Sequence, residues 1–317
     1  MNSRQLQFLL IALIAVGIAA VIARLVVSGG DDSRLTGLLP MSPDVVDTVI
    51  IRSDDGEARI QKINADTGLW QVGQHEVDAA RFTEFWATVA RFDGAQLVST
   101  NPANHARMGV AEGDATDLLF MLGNAVQEQF IVGVSPDENV ALCYLRKRGQ
   151  DNTYAVPCRF SDLFESDRDA WRDPVIMDMP LEVVGGFTVR YPSVDVNTAI
   201  EISVEDNLPV VVTGGSQSVE ANIEVTSTVL SALRQLFAVG FATDAEASSL
   251  NFDLPDISIL IEPIQDIRLP AQRLLFIQRD AQTYWVRNSA SSIVCIVGND
   301  RVAPLLVDLQ DFLASNS

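Results

Sequence analysis

The residues of this sequence that could carry covalent chemistry are three cysteines and two histidines. Cys143 lies in an apolar segment that is typical of a strand, and Cys158 ends the next such segment. Residues 148–152 between them suit a hairpin loop whose centre coincides with the midpoint of the two cysteines. A disulfide between them would be preserved only in an oxidising compartment. The alternative is two small buried hydrophobic residues, and the sequence leaves both open.

The other candidates form no catalytic or metal-binding pattern. His75 and His105 lie near no cysteine, and the sequence has neither Cys-x-x-Cys nor His-Glu-x-x-His spacing. Residues 133–137 lack the second glycine of a nucleophile elbow, and no lysine of a phosphate loop follows Gly214 and Gly215. We therefore predict that the protein is not an enzyme and has no catalytic, cofactor-binding or metal-binding residues.

The elements that would position these residues follow an apolar N-terminal segment. Residues 8–23 carry no charge, Arg24 interrupts, and three more apolar residues follow. Twenty residues of helix rise about 30 Å, the thickness of the hydrocarbon core of a bilayer. We predict that residues 1–30 form a transmembrane anchor and tether. The apolar residues of the anchor are Phe8, Leu9, Leu10, Ile11, Leu13, Ile14, Val16, Ile18, Val21, Ile22, Leu25, Val26 and Val27.

A cleaved signal peptide is the competing interpretation of this segment, because Val21 and Ala23 would suit a cleavage site. Arg4 alone makes a thin basic region before the apolar run, which favours an uncleaved anchor. Both interpretations export the rest of the chain. We expect a single-pass protein of the inner (plasma) membrane, with its body in the periplasm or outside the cell.

The charge of the chain limits its partners. Its formal net charge is −20, and a field of that sign repels nucleic-acid phosphates and anionic lipid headgroups. We therefore predict no nucleic-acid partner. The expected partners are the lipid bilayer, through the N-terminal helix, and membrane proteins such as an ABC transporter permease or auxiliary subunit.

The order of predicted elements occurs twice along the chain. Three strands, a helix, two hairpins and a further helical segment are predicted in residues 44–166 and again in residues 183–315, with a linker at 167–182. Strands that precede their own helix, without βαβ alternation, are typical of antiparallel α+β domains. The predicted fold class is therefore α+β: an N-terminal transmembrane helix and two tandem repeats, each an antiparallel sheet packed by one main helix.

The main helices have recognisable beginnings. Asp78 is the predicted N-cap of the first, and Thr226 or Ser227 that of the second. The first helix carries an apolar face at helical spacing, which indicates core packing against the sheet. Its members are Phe82, Phe85, Trp86, Val89 and Phe92. A last helix is predicted over residues 302–313.

Several short segments resemble those of a known family. They are residues 49–51, 68–72, 77–79, 104–110 and 130–133. The chain resembles an uncharacterised bacterial domain of unknown function that is often found with gliding-motility-type ABC transporter components. The resemblance spans residues 45–300 and implies an envelope accessory protein with an N-terminal anchor. It carries over no catalytic residues.

These observations predict a membrane-anchored, extracytoplasmic accessory or interaction protein, an auxiliary subunit of an ABC-type envelope transport system. The alternative is an extracytoplasmic ligand-binding or sensory domain with a cleft between the two repeats. A hydrolase that uses paired carboxylates is a third hypothesis, since the separation of carboxylates in space is not visible in a sequence.

Overall fold

The computed structural model describes residues 33–64, 68–113, 115–134, 141–158, 163–177, 179–192, 195–205, 208–213 and 217–312. The predicted membrane anchor lies outside these residues. Among the helices that are described, none is both long enough and apolar enough to cross a membrane. The chain divides into two compact units, of which the first ends at Arg172 and the second begins at Asp173.

The first unit contains nine strands, one α-helix and three short 3-10 helices among its described residues. The strands are β1 (Thr48–Ser53), β2 (Gly56–Asn64), β3 (Leu69–Val72), β4 (His75–Glu76), β5 (Gln96–Ser99), β6 (Thr116–Leu122), β7 (Ala125–Val134), β8 (Leu142–Lys147) and β9 (Thr153–Pro157). The helix is α1 (Ala79–Val89), and the 3-10 helices are Pro102–Asn104, Ala106–Met108 and Arg168–Trp171.

The second unit contains nine strands, four α-helices and two 3-10 helices among its described residues. The strands are β10 (Val184–Tyr191), β11 (Asp195–Glu205), β12 (Leu208–Thr213), β13 (Gln217–Glu220), β14 (Gly240–Phe241), β15 (Ile257–Pro263), β16 (Gln272–Gln278), β17 (Thr283–Asn288) and β18 (Cys295–Gly298). The α-helices are α2 (Ile223–Arg234), α3 (Asp244–Ser249), α4 (Asn299–Val302) and α5 (Leu309–Phe312), and the 3-10 helices are Leu181–Val183 and Ala303–Leu305.

The two sheets have the same strand order. The first is β4-β3-β2-β1-β6-β7-β8-β9-β5 and the second is β13-β12-β11-β10-β15-β16-β17-β18-β14, and in both all neighbouring strands are antiparallel. Numbered from its own first strand, each sheet follows an identical path. Two repeats of an antiparallel sheet are therefore confirmed. The α+β class overstated the helices, because the described residues are mostly β and only α1 and α2 exceed six residues.

One main helix packs on the inner face of each sheet. Phe82, Phe85 and Val89 of α1 are buried with the strand residues of the first core, as the apolar spacing predicted. In the second core, Val229 and Leu233 of α2 take this role. Burial of such side chains contributes about 1.5–3 kcal/mol each. The helical spacing therefore identified the faces that hold helix and sheet together.

The caps of the two helices are alike, although only one was predicted correctly. The Asp78 carboxylate accepts hydrogen bonds from the backbone N–H groups of Ala80 and Arg81, as expected. The second helix begins earlier than predicted, because the amide oxygen of Asn222 accepts from the N–H groups of Glu224 and Val225. Thr226 and Ser227 lie inside the helix. Asparagine and aspartate are equally good caps, so the sequence permitted several starts.

The terminal helix predicted over residues 302–313 is broken in the structure. After α4, a 3-10 turn spans Ala303–Leu305, and α5 begins only at Leu309. Pro304 has no N–H to donate, and its ring collides with the carbonyl one turn earlier in a continuous α-helix. Val302, Leu305 and Phe312 are nevertheless buried in the second core. The apolar spacing of these residues therefore predicted their burial correctly, although they do not belong to one continuous helix.

The segment predicted as a linker contributes to both cores. Trp171 is fully buried in the first core, where its ring centroid lies 5.5 Å from that of Phe85. Its backbone carbonyl accepts a hydrogen bond from the N–H of Asp78, at the start of α1. Ile176 and Met179 are buried in the second core. The described residues around the boundary are thus parts of the two units.

Candidate interaction surfaces

The structure joins Cys143, in β8, to Cys158, the residue after β9, in a disulfide. Their Cα atoms are 5.5 Å apart, and both side chains are buried in the first core. Such a bridge stabilises chiefly by restricting the unfolded chain. Cys295 is buried in the second core, as its apolar strand predicted.

The two histidines lie apart in the first unit. His105 is buried between two 3-10 turns, and its Nε2 lies 2.8 Å from the carbonyl oxygen of Asp151. His75 lies in the short edge strand β4. Within the described ranges, no group of three or more His, Cys, Asp or Glu residues is placed to hold a metal ion.

An equivalent row of paired residues joins two arginines in each sheet. In the first sheet the row runs from Arg52 through Asp117 and Ile131 to Arg146. Its counterpart in the second runs through Arg190, Ser258, Leu275 and Arg287. Arg146 and Arg287 thus occupy equivalent positions on the outer face, the face turned away from the main helix.

In the first unit, residues 101–110 (the first clasp) cover this outer face. Arg146, whose side chain is only 4 % exposed, donates from Nε to the carbonyl oxygen of Val110 at 3.0 Å. Met108, Val110 and Ile131 form a small apolar cluster beneath the clasp. Gly133 is needed there, because a Cβ atom would collide with the Met108 oxygen and approach the backbone of Gly109.

In the second unit, residues 243–252 (the second clasp) cover the equivalent face with an α-helix. Thr243 and Glu246 form a capping box at the start of α3. Phe252 is buried against Leu275, and the guanidinium carbon of Arg287 lies 4.2 Å from the centroid of the Phe252 ring. The equivalent arginine therefore holds its clasp by a cation–π contact instead of a hydrogen bond to a carbonyl.

In each unit a side-chain hydrogen bond also connects the end of the first strand to the C-terminal part of the unit. The hydroxyl oxygens of Ser53 and Ser166 lie 2.6 Å apart in the first unit. In the second unit the Tyr191 hydroxyl donates to the carbonyl oxygen of Val307 at 2.5 Å. Burial raises the pKa of Tyr191 to about 12, and the nearby carboxylates of Asp308 and Asp311 act in the same direction.

A polar cavity of about 530 Å³ lies at the end of the first sheet beside this serine pair. Asp55, Glu165 and Asp167 contribute carboxylates to its lining, together with the backbone of Gly109 and Gly133. The Asp167 carboxylate is already used as the cap of a 3-10 helix, where it accepts from the N–H of Asp169. Three acidic groups on an open wall are typical of a solvated surface, so the cavity does not define a site.

Five large apolar side chains are exposed at one end of the first sheet, and we call them the apolar rim. They are Leu39, Val45, Ile63, Leu122 and Val126, and they are 39–54 % exposed. Val126 lies in the row that pairs Gln61, Thr48 and Met121, and Leu122 and Ile63 follow Met121 and Gln61 by one and two residues at the same end of their strands. Clusters of this kind on a folded protein mark surfaces that bind another molecule or a membrane.

A second exposed apolar surface lies in the second unit. Val175 and Phe237 face each other in an isolated β-bridge, and Val239 lies two residues further along the same side. These three side chains, the apolar patch, are 44–70 % exposed. Ala238 between them packs inward on the second core. The chain therefore turns an aromatic and two aliphatic side chains outward at this edge of the sheet.

Sequence reasoning did not identify the rim or the patch. A signal is present for Leu39, Leu122 and Val126, because they lie in residues 35–43 and 118–127, which carry no charge in a chain that is 20 % charged. Exposed apolar residues have no characteristic spacing, and nothing in the sequence brings these two segments together. For the patch we find no comparable signal.

Two tandem nine-stranded antiparallel sheets, each with one main helix inside and a clasp outside, define this as a duplicated, mostly β protein with two exposed apolar surfaces. The chain belongs to the family described as Domain of unknown function (DUF4340), whose model matches residues 70–255. The match begins at β3 of the first unit and ends before β15 of the second. No curated protein and no solved structure matches the chain.

Proposed function

We propose that this protein is a membrane-anchored, extracytoplasmic interaction protein, which serves as an auxiliary subunit of an ABC-type envelope transport system. In this proposal residues 8–27 cross the inner membrane once, and both units lie on its outer side. The protein acts by holding a membrane-protein partner and catalyses no reaction of its own.

The observation that carries the proposal is the apolar patch of Val175, Phe237 and Val239. Val239 is 70 % exposed, and Phe237 presents an aromatic ring beside it. Aromatic side chains at the centre of a contact commonly provide most of its binding energy. On a chain with a net charge of −20, which disfavours nonspecific association, an exposed apolar cluster supports a specific contact.

Two further features support the location and the partner. The disulfide of Cys143 and Cys158 suits an oxidising compartment, and the apolar run of residues 8–27 would place the chain there. The class of partner follows from the resemblance of residues 68–72 and 104–110 to a family found with ABC transporter components.

The test is affinity purification of the full chain from its own membranes, with quantification of co-purified subunits. We expect an ABC-type permease or ATPase to be recovered with the natural chain. Phe237→Ser combined with Val239→Ser should lower that recovery at least tenfold, since burial of each side chain is worth about 1.5–3 kcal/mol.

Leu254→Ser is the matched control, because Leu254 is an equally exposed apolar residue of the second unit outside the patch. Its recovery of partner should equal that of the natural chain. Equal recovery with the double variant would rule out the patch as the contact. A chain that is found in the soluble fraction would rule out the anchored protein altogether.

A further inference from the structure

The outer face of the second sheet carries a cavity of about 740 Å³, which we call the trough. It lies over the neighbouring strands β11, β10 and β15. Gly186, Thr188 and Arg190 of β10 line it, and they lie on one face because alternate residues of a strand do so. Each of the three pairs with a residue of β11 and a residue of β15. The trough therefore follows β10 for the length of three rows of paired residues.

The floor of the trough is low because small residues form it. Gly186 takes the place that Thr48 has in the first sheet, and its neighbour Ser203 takes the place of Gln61. A Cβ atom on Gly186 would lie 2.7 Å from the carbonyl oxygen of Ile202, so a larger residue does not fit there. The second sheet thus has less side-chain volume than the first at this surface.

Two hydroxyl groups of the trough lack partners within the described part of the chain. The Thr188 side chain is 7 % exposed and makes no hydrogen bond to a described residue, and the buried Ser203 Oγ atom has none either. In the first sheet the equivalent of Thr188 is the buried Ile50, and the Thr48 hydroxyl donates to the carboxylate of Asp47. Because a buried hydroxyl without a partner is unfavourable, these groups favour a polar ligand.

Arg190, at one end of the trough, does not have the ion pair of its counterpart Arg52. In the first sheet Arg52 pairs with Glu57 on the adjacent strand, and its Nη2 lies 2.6 Å from a carboxylate oxygen of Glu57. The equivalent neighbour of Arg190 is Ala199, and Arg190 forms no ion pair with a described residue. Its guanidinium group is therefore available to bind a carboxylate through two parallel hydrogen bonds.

The other end of the trough is acidic. Glu262 pairs with Gly186, which precedes Arg190 by four residues and thus lies about 13 Å from it along the strand. Asp266, in the connection after β15, also lines the trough, and Glu201 lies between the two ends. None of these three carboxylates is in an ion pair with any residue that the structure describes. The charges suit a ligand with a negative and a positive group at opposite ends.

We infer that the trough binds a short linear peptide whose amino and carboxyl termini are both free. Its terminal carboxylate binds Arg190, and its terminal ammonium lies at Glu262 and Asp266. An extended chain of about four residues spans the distance between them. Its amide groups supply the missing partners of the Thr188 and Ser203 hydroxyls. This inference goes beyond the proposed function, because it concerns a ligand of the second unit and depends on neither the anchor nor the apolar patch.

Isothermal titration calorimetry of the purified full chain with tetra-alanine at pH 7 tests the inference. We expect saturable binding at a single site. Acetylation of the amino terminus or amidation of the carboxyl terminus should each lower the affinity roughly tenfold, since each removes a charged hydrogen bond. Di-alanine, which is too short to reach both ends of the trough, should also bind roughly tenfold more weakly.

Variants of the two ends assign each terminus to its site. Arg190→Gln should bind tetra-alanine and its amide equally, because the preference for a free carboxylate is lost. Glu262→Gln combined with Asp266→Asn should likewise remove the preference for a free ammonium. Thr188→Val, which keeps the shape of the side chain, should lower the affinity for tetra-alanine roughly threefold. Arg52→Gln is the matched change in the first unit and should leave that affinity unchanged.

Three results would overturn the inference. The first is the absence of binding to tetra-alanine by the natural chain, and the second is equal affinity for the free, acetylated and amidated peptides. The third is an equal loss of affinity for tetra-alanine and its amide in Arg190→Gln, which would show a general disturbance instead of a lost carboxylate contact. Circular dichroism of each variant should match that of the natural chain. Recovery of a transporter subunit is measured separately, so failure of either proposal is distinguishable from failure of the other.

Discussion

The two units cover the outer face of the same sheet by different means. In the first, two 3-10 turns lie on the strands, and the buried Arg146 binds the carbonyl oxygen of Val110. In the second, a capped α-helix occupies this place, and Arg287 stacks on Phe252. Since both arginines occupy the same position in equivalent rows of paired residues, the duplication retained the attachment point while the covering segment diverged.

The difference shows which constraints a sheet of this kind imposes. Inner-face residues such as Phe130 and Leu274 must fill a closed core, and their pairing with β6 and β15 is the same in both units. A covering segment has only to shield a few apolar side chains and satisfy its own backbone groups. Several local structures achieve this, so the clasps could change without altering the strand order.

A second difference is that only the first unit has a disulfide. Cys143 pairs with Val156 in the first sheet, and Tyr284 pairs with Val297 at the equivalent position of the second. The second unit forms the same nine-stranded order with a buried tyrosine at this place. The strand order therefore does not require the bridge, which adds stability to one copy.

The largest effect that separates the units is expected from Gly133→Val. The new side chain would enter the space held by Met108 and Gly109, and it should destabilise the first unit by about 4 kcal/mol. Ile277 pairs with Trp285 as Gly133 pairs with Tyr144, so Ile277→Val is the matched change in the second unit. It should cost about 1 kcal/mol.

Hydrogen exchange followed by mass spectrometry of the full chain measures both effects, because it reports β7 and β16 separately. Exchange of β7 should accelerate by orders of magnitude in the first variant. Unchanged protection of β7 from exchange in the Gly133→Val variant would show that the first clasp does not pack closely against the sheet.

The next largest effect is expected from removal of the disulfide. Cys143→Ala combined with Cys158→Ala should lower the stability of the first unit by about 3 kcal/mol, given a sequence separation of 15 residues. Thermal unfolding of the full chain should show one transition shifted downward and the other unchanged. Cys295→Ala, a buried cysteine of the second unit, serves as the control for loss of a sulfur from a core. A uniform shift of both transitions would contradict independent units.

A smaller difference is expected between the equivalent arginines. Arg146→Met leaves the carbonyl oxygens of Val110 and Gln150 without their charged donor and should cost about 2 kcal/mol. Arg287→Met loses a cation–π contact and should cost about 1 kcal/mol or less. Arg52→Met, which removes an exposed ion pair with Glu57, should have almost no effect. Urea unfolding curves measure the loss of stability in each of the three variants. Equal losses for the Arg146 and Arg287 variants would show that the two clasps are held equally strongly.

The smallest effect is a pH dependence confined to the second unit. Burial raises the pKa of Tyr191 in the folded protein to about 12, above its usual value of 10, so the fold favours the protonated hydroxyl. Its contribution is complete below pH 10 and is lost as the pH rises towards 12. The corresponding hydrogen bond of the first unit joins the hydroxyl groups of Ser53 and Ser166, and neither group titrates in this range.

Denaturant midpoints measured between pH 9 and 12 test this point. As the pH rises, the denaturant midpoint of the second unit should fall more steeply in the natural chain than in the Tyr191→Phe variant, which lacks the ionisable group. Parallel curves for the two proteins would show that Tyr191 does not couple folding to pH.

Patterns that depend on neighbouring residues were predicted well. The apolar face of α1, its Asp78 cap and the hairpin of β8 and β9 follow from local spacing, and the structure has all three. Elements whose existence depends on distant partners were missed. The edge strands β5 and β14 are short, and they pair with β9 and β18, which lie more than fifty residues away along the chain. Because such short strands have little sequence signal of their own, pairing with a distant strand determines whether they form.

What the sequence by itself determined is the apolar N-terminal segment, the doubled order of strands and helices, and the inward faces of the main helices. These depend on composition and on periodicity over a few turns or strands. Tertiary structure alone decided that Arg146 and Arg287 are equivalent, that Gly133 lies beneath Met108, and that the residues of the apolar rim lie at one end of the first sheet. Each of these is set by strand register, which brings together residues that are far apart in the chain.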